Sequence, residues 1–219
     1  MAFSFSIRVR LWLTIVLVVL GLVGLAVATV TVSGNTMRAE GFSKLTAIRE
    51  VKAGAVERYF ETVESQVVTT SENLMIVEAM GAFRDAYAAI EVDPDELERA
   101  RTSVAKYVSN EYVPRMPDRD QPAAGDRAGL IPAAPESILL QARYIADNPN
   151  PVGSKDELQS AGVDRYDDAH ERYHPVVRSF LKRFGYYDIF LVEPESGVIV
   201  YSVFKEADFG TSLETGPYR

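Results

Sequence analysis

No cysteine occurs anywhere in the 219 residues, so disulfide scaffolds, zinc ribbons and thiol chemistry are excluded. Only two histidines are present, which rules out a three-histidine metal site. Basic residues are outnumbered, 23 Lys and Arg against 31 Asp and Glu, and no long basic run exists. A chain of net charge −8 without such a run is poorly suited to nucleic acid, and no nucleic-acid partner is expected. No Gly-rich phosphate loop, GxSxG elbow or DxDxDG calcium loop appears, and no cofactor is expected. The remaining composition, 47% apolar and 25% charged, is ordinary for a globular chain.

The distribution along the chain is more informative. Leu11 to Val32 is a run of 22 residues without a charge. As a helix it rises about 30 Å, enough to cross a bilayer and meet membrane lipid. Trp12 sits at one end, where an indole suits the headgroup region. Arg8 and Arg10 precede the run and favour a cytoplasmic N-terminus, residues 1–10, with residues 33–219 outside the cytoplasm. A cleaved signal peptide is the alternative, with Ala26-Val27-Ala28 as a small-x-small site. The run is longer than a usual signal-peptide apolar region, which favours an uncleaved anchor. Residues 33–219 carry 21 basic and 31 acidic residues and no second spanning run.

Residues 36–90 contain no proline and show an apolar stripe through Leu45, Ile48, Val51, Phe60, Val67, Leu74, Met80 and Phe83. Steps of three and four predict a long helix, weakened locally at Gly54 and Gly81. Asp93-Pro94-Asp95-Glu96 predicts a helix start, with the helix running to about Tyr112. Five of the 11 prolines fall between Pro114 and Pro135, which predicts a loop. A short helix is expected over Glu136–Ala146 and a last one over Asp164–Phe184, capped by Gly185. Pro175 should kink or divide that last helix. The period then changes. Tyr187–Val192 and Val198–Phe204 read as two strands around Pro194-Glu195-Ser196-Gly197. Both are apolar at nearly every position, as in strands covered on both faces. Two strands alone make a marginal sheet, so further strands are expected beyond Arg219 or from a partner.

Two stretches resemble a known family. FSKLTAIREVKAGAVERYFE (42–61) is similar to the membrane-proximal helix of extracytoplasmic Cache-type sensor regions. HERYHPVVRSFLKRFGYYDIFLVEPESGVIVYSVFKEADFGTSLETGPY (170–218) is similar to a block in the sensor regions of chemotaxis receptors and of receptor-type nucleotide cyclases and kinases. The resemblance implies an α+β fold: one transmembrane helix, a long helix, and a helical region leading into an incomplete PAS-like antiparallel sheet. It implies a ligand-sensing receptor region in a bacterial cytoplasmic membrane, without enzymatic activity of its own. It also implies a homodimer paired through the long helices. Any second span, HAMP linker or output module would lie beyond Arg219.

Two groups of residues are candidates for chemistry. His170, Glu171 and His174 spell H-E-x-x-H, the letters of a zinc protease motif. The adjoining Pro175 disturbs the helix that motif needs, and packing within an aromatic stripe competes with it, as does a metal- or pH-sensing pair. The second group is the small-molecule pocket that a PAS-like sheet implies, made from Tyr186, Tyr187, Asp188, Tyr201, Lys205 and Asp208. Aromatic walls with a few charges suit a small polar metabolite. In that reading Asp188 pairs with an ammonium and Lys205 with a carboxylate.

Overall fold

The computed structural model describes residues 6–218 and is mostly helical, with two antiparallel strands. It divides into two compact units at Thr69/Thr70.

The first unit is built on α1 (Ile7–Ser71), one unbroken helix. Its apolar segment is long enough to cross a membrane, and none of that window is buried. The stripe beyond it is exposed too, from Leu45, Ile48 and Val51 to Phe60 and Val67. The expected helix over 36–90 is in fact two helices. Asn73 takes an extended conformation and its side chain accepts from the Met75 amide at 2.9 Å, capping a new helix, α2 (Leu74–Ala88). Asparagine at this position competes with helix continuation, and the apolar spacing alone does not register it.

The second unit continues with α3 (Pro94–Tyr107), α4 (Pro135–Gln141) and α5 (Arg165–Phe184). Asp93 caps α3 as the sequence indicates, accepting from the Glu96 amide at 2.8 Å. A wider turn over Val108–Tyr112 extends α3, and another over Ala142–Ala146 extends α4. The proline-rich stretch between them holds only short 3-10 turns. Asp164 and Asp167 form a reciprocal capping box at the start of α5, and Gly185 ends it with φ +71°. Pro175 does not divide α5. Both Pro175 and Glu171, whose carbonyl loses its helical donor, lie on the exposed side.

The strands are shorter than expected: β1 is Phe190–Val192 and β2 is Ile199–Ser202. The Asp188 carboxylate explains the shortening. It accepts from the amides of Ile189 (2.6 Å), Val203 (2.9 Å) and Phe204 (3.3 Å) and from the Ser202 hydroxyl (2.8 Å). Side-chain bonds thus replace ladder bonds where the strands would have continued. β2 is buried throughout, but Phe190 of β1 is exposed. The second edge of β2 is paired within this chain. Ile199 donates to the Thr211 carbonyl and Gly210 donates to the Ile199 carbonyl, each at 3.0 Å. The segment around 210–213 thus lies along this edge of β2 without forming a strand of its own.

α2 packs on α5 and on β2. Between them Phe83, Tyr144, Tyr166, Tyr201 and Phe209 form an aromatic core, all fully buried. A second apolar cluster joins α3 to α4 through Val104, Val108, Ile138 and Leu139.

Candidate functional site

The site begins where β2 ends. The Lys205 amide donates to the Ser202 hydroxyl at 3.0 Å, while Asp188 holds the two amides before it. This turn places Lys205 in the left-handed region, at φ +58°, the only non-glycine residue there among those described. Such a conformation is costly for a residue with a side chain. It sends the lysine inward. Nζ donates to the Ser202 carbonyl. It lies 4.4 Å from the Tyr201 ring centroid, 5.3 Å from Phe209 and 5.7 Å from Tyr144. Lys205 is 2% exposed, and among the described residues no carboxylate forms an ion pair with it. Burial pushes its amine down to about 7, against partial support from Asp188 and Asp156.

The two histidines of α5 lie in the same core, their rings stacked at 4.2 Å. His170 Nδ1 faces the Gln159 carbonyl at 2.6 Å, so Nδ1 carries the proton and Nε2 is a bare acceptor. Nε2 has no partner among the described residues. His174 Nε2 faces the Asp156 carbonyl at 2.8 Å and therefore carries its proton. Its Nδ1 accepts from the Tyr201 hydroxyl, also at 2.8 Å. Burial, then the nearby Lys205 charge, holds His174 down to about 4, and the same causes push His170 well below the usual range. Both nitrogens of His174 are thus occupied, and Glu171 points to the exposed side. Among the described residues no group of three His, Asp or Glu is placed to hold a metal. Both histidines of H-E-R-Y-H are packed within the aromatic core.

The six predicted pocket residues separate. Tyr187, Lys205 and Asp208 line one cleft of about 350 Å³. Tyr201 lies beneath Lys205 in the core. Asp188 is committed to the backbone bonds described above. Tyr186 stacks on Phe180 and Phe184 at 6.1 and 6.3 Å and does not line the cleft.

No family model, curated protein or solved structure matches this chain. The chemistry of the cleft has to be read from its own residues.

Three further tyrosines, Tyr107, Tyr112 and Tyr218, and two cations, Arg115 and Lys155, complete its walls. Sequence reasoning missed all five. Tyr107 and Tyr112 fall at the end of a helix, and Arg115 and Lys155 in loops rich in proline and glycine. Only the local density of tyrosine pointed to them. Tyr187 donates to Glu206 at 2.8 Å, and that bond raises its hydroxyl to about 12. Asp208 is pushed up to about 6 by burial and by the charges of Glu206 and Asp188. A larger groove of about 1070 Å³ is lined mainly by small residues such as Gly129, Ala133 and Gly210, with Arg101 its only charged group. Of these two, the smaller cleft carries the aromatic side chains and most of the charged ones.

Proposed function

We propose that this chain is the ligand-sensing region of a bacterial membrane receptor. Leu11–Val32 anchors it in the cytoplasmic membrane, residues 1–10 face the cytoplasm, and residues 33–219 lie outside. The second unit acts as a PAS-like sensor that binds a small polar metabolite. The observation that carries this reading is the cleft, where Tyr187, Lys205 and Asp208 meet three more tyrosines and two more cations. Its size lies at the lower end of small-molecule sites. The unbroken α1 gives the sensor a covalent route toward the membrane segment. Binding would act by favouring one of two arrangements of that helix. The exposed apolar stripe of α1 supports pairing in a homodimer.

The test uses the full chain in lipid nanodiscs. Thermal unfolding is followed against a panel of amino acids, amines and organic acids. At least one should raise the melting temperature, and Tyr187→Ala should remove the shift. A panel without any shift defeats the reading. Because the chain lacks cysteine, Val67→Cys gives a clean probe of pairing: oxidation should yield a disulfide-linked dimer, and its absence counts against the homodimer.

A further inference from the structure

We propose that the cleft selects a protonated amine, with the Asp208 carboxylate as its charge partner and tyrosine rings as its walls. This rests on the ligand-sensing reading above and specifies its ligand class.

The argument compares the partners of each charged group. Each cation in the lining has at least one acceptor within the chain. Arg115 donates to the Glu111 carbonyl and lies 3.8 Å from the Glu111 carboxylate. Lys155 donates to the Asn148 carbonyl at 2.8 Å and is itself buried. Lys205 is enclosed by aromatic rings and bonded to Ser202. The Glu206 carboxylate accepts from Tyr187. Asp208 differs. It lines the cleft, its carboxylate meets the backbone amides of Asp208 and Phe209, and its buried Oδ1 has no hydrogen-bond partner among the described residues. A buried acceptor without a donor is costly, and a ligand that supplies the donor recovers that cost. Burial and the negative charges of Glu206 and Asp188 raise Asp208, so a cation beside its carboxylate is favoured there. Nearby rings already pack against lysine amines. Lys155 lies 5.8 Å from the Tyr107 centroid and Lys205 lies 4.4 Å from that of Tyr201. A protonated amine beside Asp208 would have tyrosine faces available for cation–π contact.

Three probes of matched shape separate the possibilities: phenethylammonium, 3-phenylpropionate and neutral 2-phenylethanol. Each is titrated calorimetrically into the full chain in detergent at pH 7.5. The amine should bind at least tenfold tighter than the other two. Asp208→Asn, of nearly the same size, should remove that preference while the near-UV dichroism stays native. In the wild type the amine affinity should fall about tenfold per pH unit below about pH 6, as Asp208 takes up its proton. Glu206, Asp188, Arg115, Lys155 and Lys205 surround the same space, so the Asp208→Asn profile identifies the part due to Asp208. If Asp208→Asn does not fold, the ranking of the three probes at pH 7.5 decides alone. The amine class is overturned if the acid binds tighter, if the alcohol equals the amine, or if Asp208→Asn binds the amine unchanged. Binding of the acid alone would leave the sensing reading standing. If no probe binds, the amine class fails, and the metabolite panel decides the sensing reading separately.

Discussion

Replacing Lys205 by methionine keeps the side-chain length and removes its charge. The amine sits at about 7 in the folded chain against an ordinary 10.5. Between those values the unfolded chain holds a proton that the folded chain does not, so wild-type stability rises with pH. Below that window both states are charged and Lys205 adds no slope. At 1.36 kcal/mol per unit, the rise from pH 7 to pH 9.5 amounts to about 3 kcal/mol, and the residual cost at pH 7 to about 4 kcal/mol. Methionine escapes that cost but strands the Ser202 carbonyl, a loss of about 1–3 kcal/mol. The variant should therefore be more stable than the wild type at pH 7 by about 2 kcal/mol, or roughly 4–8 °C in melting temperature. At pH 9.5 the order should reverse by about 1 kcal/mol. Thermal unfolding of the full chain in detergent, followed by near-UV dichroism of the tyrosine-rich core, measures both points. Tyrosine ionisation is common to the two proteins and cancels in the difference. Parallel stability curves from pH 7 to 9.5 would refute the assignment of Lys205 as a buried, unpaired amine.

Three other outcomes follow from the same geometry. Asp188→Ala removes the acceptor for three amides and a hydroxyl, and should lower stability by about 3 kcal/mol in a urea titration. A loss below about 1 kcal/mol would show that water replaces the carboxylate. His174 stays neutral in the fold down to about 4, so stability should fall by about 3 kcal/mol as pH drops from 6.5 to 4. His174→Phe should flatten that part of the acid unfolding curve, and an unaltered curve would place the acid sensitivity elsewhere. Gly185→Ala meets no steric obstacle but forces a side chain to φ +71°, which should cost about 1 kcal/mol in thermal unfolding.

Features set by local chemistry were readable in the chain. Asp93 beside Pro94, Asp164 before α5 and Gly185 after it act within a few residues, and the structure follows each. The apolar run from Leu11 is a matter of length alone. The break at Asn73 escaped because periodicity registers the apolar face and ignores a polar residue that prefers to cap. The site was less legible. Asp188 invites a reading as a ligand partner, yet its oxygens are consumed by amides fifteen and sixteen residues away. Lys205 reads from the sequence as the partner of a ligand carboxylate, yet its amine bonds the Ser202 carbonyl within the core. Nothing in its neighbours reveals that the chain turns left-handed there and drives the amine inward. Arg115 and Lys155 reach the cleft from loops whose paths only tertiary packing determines. His170 and His174 carried a protease spelling, while the spacing itself fits a stripe facing Phe83 and Tyr201.

The left-handed turn at position 205 has a consequence for how this sequence should drift over time. The other described left-handed positions, 153, 185, 197 and 210, are all glycine. Conformation alone would push residue 205 the same way, since glycine relieves both the backbone cost and the burial of an amine. A lineage that needs only the fold should lose the lysine early. A lineage that needs the amine should keep it while the surrounding loop diverges. Position 205 is thus a character by which distant copies of this domain can be sorted into those that retain the chemistry of the cleft and those that retain only its shape.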